Sequence, residues 1–507
     1  MPAKHQANFI YQTLKGSTEF SLTEFQVAAI ESEPTSPALI IAGAGSGKTE
    51  LMAVRVLWLV ANGYCRPNEI LGLTFTRKAA ASLSKRIGKS INDLRKTSIW
   101  PEALREDSSA PTIATYNSYA NALFKDSALA LGYEPESLLL SESQRYQLAR
   151  QVVLDRAKDA IPNIDELDKK PNDLVAMVLA LSSELNEHNR SADEVAVFVH
   201  AQLELLANLA PSKLKTATKE LVELASDLSL LPGLARLAEM FREEKHRLGF
   251  VDFSDQVLLA HRALALTDLA KVQRSQYAHV LLDEYQDTSY LQTSLLEGLF
   301  RGMPVYAVGD PNQSIYGWRG ASSSNLAEFE NQFSVEGLPV QKFMLPTSWR
   351  NPTLVLDVAN QIAAPLKLKP SYSSQSLVDV DKLLAKPNAK AGRVEVDFLA
   401  TLPEEVSRVA EFFASEFDRA SAAGVDTPTA ALLLRRRAPM NEFVAALQNR
   451  GLSVEVLGLG GLLQMPEVVD LVSALKVINS PSAGVALIRL LTGARWRIGA
   501  RDIAALN

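Results

Sequence analysis

The chain has 507 residues, so at roughly 100 to 200 residues per domain its length excludes a single small module. Its 52 lysines and arginines stand against 58 aspartates and glutamates, and the net charge of −6 excludes bulk attraction to nucleic acid or anionic membrane. Any nucleic-acid binding must therefore use a local basic surface. One cysteine, Cys65, leaves no partner for a disulfide, and the N-terminus lacks the apolar core of a secretory signal. We expect a cytoplasmic protein without membrane association.

Short apolar runs recur along the chain and predict the strands of a parallel sheet. They lie at residues 38–41, 70–75, 280–283 and 305–310. Each run is too short for a helix and too uniformly apolar for a half-exposed strand, as expected when both faces of a sheet are covered. The predicted fold class is therefore α/β.

About two hundred residues separate the second and third predicted strands, and they are rich in Ala, Leu, Glu and Lys. This composition predicts helices, for example over residues 141–158, 173–187 and 212–230. Pro171, Pro211 and Pro232 are predicted to separate them. The pattern indicates a helical domain inserted into the sheet domain.

A second α/β lobe is predicted after residue 345. Residues 393–398 alternate between polar and apolar side chains, and residues 430–434 form an apolar run, so both read as strands. The lysine- and serine-rich segment at residues 366–392 is predicted to be an exposed loop.

The sequence AGAGSGKT follows the first strand and precedes a helix, which is the setting of a phosphate-binding loop. Its glycines let backbone N–H groups converge on a phosphate, Lys48 adds a positive charge, and the Thr49 hydroxyl can coordinate Mg²⁺. A glycine-rich turn that binds nothing is the alternative. The predicted nucleotide-binding residues are Ala42, Gly43, Ala44, Gly45, Ser46, Gly47, Lys48 and Thr49.

The sequence DEYQD at residues 283–287 follows the third strand. At the carboxyl end of that strand, Asp283 can hold Mg²⁺, and Glu284 can orient and deprotonate an attacking water. An acidic surface turn is the alternative. A second carboxylate favours hydrolysis over transfer to an alcohol, so a kinase explains the pair less well.

The sequence GDPNQSIYGWRGA follows the fourth strand at residues 309–321. Gln313 can reach a γ-phosphate or its water. Tyr316 and Trp318, beside Arg319, are flat side chains in a glycine-flanked loop, and stacking on such side chains contributes about 1 to 3 kcal/mol per base in single-stranded sites. Ordinary core packing of the two aromatic rings is the alternative.

A local basic segment lies between residues 77 and 96, where seven cations stand against one anion, Asp93. Its formal charge of +6 makes it the predicted DNA-phosphate surface, although a solvated helix face would look the same. The cations are Arg77, Lys78, Lys85, Arg86, Lys89, Arg95 and Lys96.

The phosphate loop at residues 42–49, the DEYQD sequence at 283–287 and the GDPNQSIYGWRGA sequence at 309–321, in this order, resemble motifs of the UvrD/Rep/PcrA group of superfamily 1A DNA helicases. The resemblance extends from residue 22 to about residue 500. The resemblance implies a P-loop NTPase fold with RecA-like parallel-sheet lobes and inserted helical domains. It also implies ATP and Mg²⁺ as cofactors, and single-stranded or duplex DNA as partner.

The same resemblance assigns further residues. Gln26, in LTEFQ, would read adenine. Trp349 would stack on the base, and Arg350 would face the γ-phosphate from the second lobe. The segments at residues 73–80 and 114–120 resemble DNA-contacting motifs, in which the implied contacts are Thr76, Arg77, Thr115, Tyr116 and Asn117.

Several positions depart from that pattern. Glu50 stands where many relatives have an arginine, Asn117 replaces a histidine, and Ser348 replaces an asparagine. These details, with RWRIGARD at residues 495–502, look closest to helicase–nuclease subunits of the AdnAB/AddAB type. That likeness implies a second helicase–nuclease subunit as partner, and the lack of later motor motifs predicts a truncated polypeptide.

The predicted arrangement is lobe 1A at residues 1–122 and 272–345, helical insertion 1B at 123–271, lobe 2A at 346–458, and the start of 2B at 459–507. The predicted function is ATP-dependent 3′-to-5′ DNA unwinding or translocation in repair or recombination. A nucleotide-gated single-stranded DNA-binding subunit that does not unwind remains an alternative. A P-loop kinase of a small metabolite is a second, but it leaves Trp318 and the basic segment unexplained.

Overall fold

A computed structural model describes residues 3–19, 21–161, 164, 170–208, 215–317, 320–321, 324–367, 379–457, 466–480 and 483–505. The chain forms two compact units, Met1–Val394 and Glu395–Asn507. Within the described ranges, no helix is both long enough and apolar enough to cross a membrane.

The first unit is built on a sheet of six parallel strands, counted over the described residues, in the order β3-β2-β6-β7-β1-β8. These strands are β1 (Ala38–Ala42), β2 (Ile70–Thr74), β3 (Thr112–Thr115), β6 (His279–Leu282), β7 (Val305–Gly309) and β8 (Gln341–Leu345). Two short parallel pairs join β4 (Leu138–Leu139) to β5 (Phe250–Val251), and β9 (Thr347–Ser348) to β10 (Leu384–Ala385).

Both faces of the sheet are covered, because successive side chains of a strand point in opposite directions. In β1, Leu39 and Ile41 enter one hydrophobic core, whereas Ala38 and Ile40 enter the other. The four predicted strands and the α/β fold class are confirmed. β3 and β8 were not predicted as strands from the sequence.

The helices of the first unit surround this sheet and form the insertion. They are α1 (Ala7–Lys15), α2 (Glu24–Ile30), α3 (Lys48–Ala61), α4 (Arg77–Leu94), α5 (Tyr116–Ser127), α6 (Glu142–Ala160), α7 (Pro171–Glu187), α8 (Ala192–Asn208), α9 (Lys215–Arg247), α10 (Phe253–Leu266), α11 (Leu269–Gln276), α12 (Tyr290–Phe300), α13 (Ser324–Phe333) and α14 (Thr353–Ala363).

The residues between β3 and β6 are mainly helical, as predicted, and α6, α7 and α9 share a core of their own. Pro171 begins α7, as expected for proline at the first helical position. Pro211 lies outside the described residues. The prediction that Pro232 separates helices is wrong, because α9 continues through it. Buried residues that follow the proline, including Leu234 and Phe241, anchor the helix in the insertion core and offset the lost backbone hydrogen bond.

The predicted exposed loop at residues 366–392 is only partly a loop. Leu384–Ala385 pairs with Thr347–Ser348, and the side chain of Leu383 packs against Gly43. Residues 368–378 lie outside the described part of the chain. The sequence did not indicate this pairing because it joins two strands of two residues each that are distant in sequence.

The second unit contains α15 (Leu402–Ala422), α16 (Met440–Asn449), α17 (Pro466–Asn479), α18 (Gly484–Thr492) and α19 (Ala500–Ala505). The predicted strands at residues 393–398 and 430–434 are wrong, since both segments are irregular. Phe398 is fully exposed and Leu433 is 89% exposed. The alternating pattern is present, but a strand needs a hydrogen-bonding neighbour, and the described residues of this unit contain no other strand to supply one.

Candidate nucleotide and DNA site

The predicted catalytic motifs meet at one edge of the sheet because all six strands are parallel. β7 lies between β1 and β6, so Gly309 at its end is flanked by the ends of the other two strands. Three connections therefore leave the same edge side by side: the phosphate loop (residues 42–49), the DEYQD segment (residues 283–287) and the loop after β7 (residues 310–321). Ligands of open α/β sheets bind at this edge.

The phosphate loop reaches the N-terminus of α3 through two glycines with positive φ, Gly45 at 78° and Gly47 at 88°. A side chain at either position would strain the backbone. The turn leads into the N-terminus of a 14-residue helix, where free backbone N–H groups and the positive end of the helix dipole favour anions. The geometry of residues 42–49 thus fits the predicted phosphate-binding role.

Gln26 is buried at the N-terminus of α2 and lies against this loop. Its side-chain oxygen accepts from the Thr23 backbone N–H at 3.0 Å, and its Nε2 donates to the Ser46 carbonyl at 3.3 Å. An amide has a second N–H and a second lone pair, so Gln26 retains capacity to hydrogen-bond a base. The structure places it beside the loop, as the adenine-reading hypothesis requires.

Lys48 and Glu284, 236 residues apart, form an ion pair of 2.8 Å between Nζ and Oε2. Glu284 has φ 49° and ψ 44°, a left-handed conformation that costs a non-glycine residue about 1 to 3 kcal/mol. The surrounding contacts hold this conformation. The predicted phosphate-binding lysine and the predicted general base therefore share one location.

Asp283 is buried at the end of β6. Thr74 donates to its Oδ2 at 3.1 Å, and its Oδ1 has no hydrogen-bond partner among the described residues. Burial, and then the neighbouring Glu284, raises the pKa of Asp283 to about 6. A cation would favour the ionised form. The unpartnered carboxylate oxygen and the half-buried Thr49 hydroxyl are hard oxygen donors of the type that Mg²⁺ prefers, so the residues fit the predicted metal.

Gln286, 1% exposed, joins the DEYQD segment to the loop after β7. Its Nε2 donates to Oε2 of Glu284 at 2.8 Å and to Oδ2 of Asp287 at 3.3 Å, and its Oε1 accepts from the Asp310 N–H at 3.0 Å. A movement of Glu284 must therefore disturb the loop after β7. No role was predicted for Gln286 from the sequence, although an amide between acidic residues at a strand end was a usable signal.

Gln313, predicted to act at the γ-phosphate, lies at the start of the loop after β7. Its Nε2 donates to Oδ2 of Asp310 at 2.6 Å, which fixes the side chain relative to the strand end. Because Asp310 is also bonded to Gln286, Gln313 belongs to the same hydrogen-bonded chain as Glu284.

Residues 348–350 lie directly against the phosphate loop. The Trp349 N–H donates to the Gly45 carbonyl at 2.8 Å. A Cβ on Gly45 would come within 2.7 Å of Oγ of Ser348 and 2.8 Å of Cβ of Arg350, so this approach requires glycine. Trp349 is 41% exposed and Arg350 is also exposed. The structure thus brings Trp349 and Arg350 to the predicted nucleotide site.

The candidate DNA contacts begin at the same edge. Tyr316 packs on Phe75, which follows β2, with ring centroids 4.6 Å apart. Thr76 and Arg77 are exposed at the N-terminus of α4, and the Thr76 hydroxyl accepts from the Ala79 N–H at 3.1 Å. Trp318 and Arg319 lie outside the described residues. Tyr316, Thr76 and Arg77 therefore share one surface region.

The predicted contacts after β3 need correction. Tyr116 is 4% exposed and its hydroxyl donates to the Asp283 carbonyl at 2.8 Å, so its assignment as a DNA contact is wrong. Thr115 is also buried and instead caps α5 by accepting from the Ser118 N–H. Asn117 is half-buried, and its Oδ1 accepts from Nε2 of Gln292 at 2.7 Å. The sequence could not distinguish residues that face the end of β6, which Asp283 follows, from residues that face solvent.

The basic segment is only partly available to DNA. Arg86 pairs with Glu50, and Arg95 donates to the backbone carbonyls of Asp107 and Ser109 at 2.6 and 3.1 Å. Both arginines thus serve the fold. The exposed cations of α4 are Arg77, Lys78, Lys85, Lys89 and Arg86, and of these Arg86 is the one paired with Glu50.

Comparison with known proteins agrees with this geometry. The DNA helicase II of Rickettsia typhi is 26% identical over 492 residues, covering 95% of this chain and 63% of the relative. The UvrD1 helicase of Mycobacterium leprae is 27% identical over 492 residues, and the PcrA helicase of Leuconostoc citreum 23% over 483 residues. Each alignment covers 93% of this chain and 54% of the relative.

The chain therefore spans between about half and two thirds of the length of these relatives. The model of the UvrD/REP helicase N-terminal domain matches residues 22–334, more than half of the chain. This range includes the phosphate loop, the DEYQD segment and the loop after β7. These three segments follow β1, β6 and β7, whose carboxyl ends lie side by side in the parallel sheet. The chain belongs to the UvrD/REP helicase family.

Proposed function

We propose that this protein is an ATP-dependent DNA helicase or translocase that moves 3′ to 5′ along one strand in repair or recombination. The observation that carries the proposal is the contact of three elements around Lys48. Glu284 pairs with Lys48 from the end of β6, and residues 348–350 approach the same loop through Gly45. Relatives named DNA helicase II, UvrD1 and PcrA support the same activity.

In the proposed reaction, Lys48 binds the β- and γ-phosphates of ATP, and Glu284 takes the proton from the attacking water. Arg350 and Gln313 stabilise the γ-phosphate. The Thr49 hydroxyl and the Asp283 carboxylate would hold Mg²⁺, which would neutralise phosphate charge. A phosphate and Glu284 compete for the Lys48 ammonium. Nucleotide binding therefore releases Glu284 from the 2.8 Å ion pair and leaves it available as a base.

The proposed link from ATP to DNA runs through Gln286. This side chain bonds both Glu284 and the backbone of Asp310, where the loop after β7 begins. The loop carries Tyr316, which lies with Phe75 beside Arg77. A change at Glu284 would thus alter the stacking surface offered to DNA bases.

The domain assignment remains a proposal: lobe 1A at residues 1–122 and 272–345, 1B between them, lobe 2A at 346–458 and 2B from 459. We further propose a helicase–nuclease role in double-strand break processing with a second subunit. The sequences around Asn117 and Trp349 support that role. Analytical ultracentrifugation with candidate helicase–nuclease subunits tests it, and a protein that remains monomeric throughout would contradict it.

The test of the main proposal measures ATP hydrolysis with and without single-stranded DNA, and strand displacement from duplexes with a 3′ or a 5′ tail. We expect DNA-stimulated hydrolysis, and displacement only with the 3′ tail. Glu284→Gln keeps the hydrogen bonds of the side chain but removes the base, so it should hydrolyse ATP at least about 10²-fold more slowly. Unchanged turnover in this variant would refute the mechanism. Nucleotide-dependent DNA binding without displacement would identify the non-unwinding alternative.

A further inference from the structure

The last turn of α7 is bonded to the start of α10, a helix whose residues Val257 to Ala260 lie in a core shared with the sheet. Asn186 is buried, and its Nδ2 donates to Oδ1 of Asp255 at 2.9 Å and to Oγ of Ser254 at 3.0 Å. Both acceptors lie at the start of α10. Two bonds from one side chain fix the end of α7, so the next residue, Glu187, has a defined position.

Glu187 packs against the end of the loop after β7. A Cβ built on Gly320 would lie 3.3 Å from Cβ of Glu187 and 3.6 Å from Cβ of Ser289. Gly320 has φ 75°, and Ala321 pairs with Ser289 in an antiparallel bridge. The side chain of Glu187 therefore occupies the space between this loop and the start of α12.

The carboxyl group of Glu187 is unusual for its surroundings. Its Oε2 is buried and has no hydrogen-bond partner in the part of the chain that the structure describes. Burial raises the pKa of Glu187 to about 7. A hydrogen bond with Ser289 opposes this increase in pKa, and the negative charges of Glu184 and Asp252 add to it. A carboxyl group that contributes only solubility would not be placed here.

The same loop bears a proposed DNA contact. The Ala321 N–H donates to the Tyr316 carbonyl at 3.3 Å, and the Gly320 N–H donates to the Gly317 carbonyl at 3.1 Å. The position of Tyr316 thus depends on residues 320–321, which Glu187 supports from the insertion.

We propose that Glu187 is a positioning residue through which the helical insertion holds the loop after β7, and with it Tyr316, in its DNA-binding position. The inference rests on the proposed function, since the packing of Glu187 against Gly320 affects DNA binding only if Tyr316 contacts DNA. Removing the side chain leaves a void beside Gly320 and lets the loop move. DNA binding should then weaken while the chemistry at Lys48 and Glu284 continues.

The test compares Glu187→Ala, Glu187→Gln and the control Glu184→Ala, which removes an exposed carboxylate from the same helix. We expect Glu187→Ala to raise the DNA concentration for half-maximal ATPase stimulation about 10-fold, with kcat at saturating DNA and hydrolysis without DNA unchanged. Glu187→Gln fills the same volume without charge and should restore wild-type behaviour, and Glu184→Ala should match the wild type.

Equal half-saturation in Glu187→Ala and wild type would overturn the inference, as would a parallel fall in kcat or failure of Glu187→Gln to restore binding. If Glu187→Ala does not fold, Gly320→Ala crowds the same contact from the loop side and should produce the same shift. A wild-type protein without DNA stimulation refutes the proposed function itself. If DNA stimulates ATP hydrolysis by the wild-type protein but the Glu187 and Gly320 variants need the same DNA concentration as the wild type, only the inference is refuted.

Discussion

Two lysine–carboxylate clusters in the first unit have similar compositions and different contacts. In the insertion cluster, Nζ of Lys245 lies 2.7 Å from Oδ2 of Asp252 and 2.5 Å from Oδ2 of Asp255. The side chain of Lys245 is 1% exposed. At the sheet edge, the side chains of Lys48 and Glu284 are 12% and 33% exposed. One cluster is closed to solvent, and the other is open to it.

The clusters also differ in how fully their polar atoms are bonded. Among the described residues, no buried nitrogen or oxygen of the side chains of Lys245, Asp252 and Asp255 lacks a partner. By contrast, Oδ1 of Asp283 and Oγ of Ser46 are buried without one. A completely bonded cluster can only hold the fold together, whereas unused donors and acceptors beside an accessible lysine can bind a ligand. Solvent exposure and unpartnered polar atoms thus distinguish the candidate ligand-binding site at Lys48 from the structural ion cluster at Lys245.

The largest expected effect lies at the open cluster. Lys48→Ala removes the charge that we propose binds the terminal phosphates, so we expect DNA-stimulated ATP hydrolysis to fall by about 10³-fold or more. The melting temperature should change little, because the lysine is not fully buried. Turnover and thermal unfolding are measured on the same samples. Loss of stability in proportion to activity would show that Lys48 is structural, and would remove the distinction between the clusters.

The closed cluster should behave in the opposite way. Lys245→Met leaves two buried carboxylates without a counter-charge, so we expect the free energy of unfolding to fall by about 3 to 5 kcal/mol in urea titrations. The triple variant that also carries Asp252→Asn and Asp255→Asn should recover most of that loss, since asparagine can still cap α10. Hydrolysis per folded molecule should stay unchanged. A triple variant as unstable as Lys245→Met would contradict the argument.

A smaller effect is expected at Gln26, beside the open cluster. Gln26→Glu keeps an acceptor for the Thr23 N–H but loses the donor, so the helix cap survives while adenine recognition is impaired. We expect the KM for ATP to rise about 10-fold, which corresponds to about 1.4 kcal/mol. The KM for GTP serves as the control and should change less. Equal changes for both nucleotides would indicate that Gln26 supports the loop without reading the base.

The smallest effect concerns pH. The pKa of Glu187 is raised to about 7 in the folded protein from 4.5, so the folded state binds a proton more tightly than the unfolded state. Its contribution to stability is present below pH 4.5 and is lost as the pH rises to about 7. We expect Glu187→Gln to remove about 1 kcal/mol of this decline. Parallel pH profiles of unfolding for the wild type and the variant would contradict this assignment.

Much of the candidate site is visible in the sequence because its motifs are local. The phosphate loop needs glycines at positions such as Gly45 and Gly47, where φ is positive, and these are visible in the sequence. Asp283 and Glu284 were identifiable from their place after an apolar strand. Thr74 was missed, although β2 neighbours β6 and its last residue must lie beside Asp283.

Errors arose where a pattern depends on a distant partner. Tyr116 has the same local sequence whether its ring faces DNA or the Asp283 carbonyl, so burial decided against the predicted contact. Residues 393–398 alternate as a strand does, yet they form none without a neighbour to pair with. Pro232 lies within a helix because packing of the following turns outweighs the missing hydrogen bond.

By itself, the sequence determined the chemistry that can occur at the sheet edge: a phosphate-binding turn, a carboxylate pair and an aromatic loop, each encoded within a few consecutive residues. Only the tertiary structure decided which side chains meet there, because strand order sets neighbours that are hundreds of residues apart. It joined Glu284 to Lys48, gave Gln286 its central place and brought Glu187 to Gly320. Burial, which no local pattern specifies, then distinguished the partly accessible Lys48 from the closed Lys245.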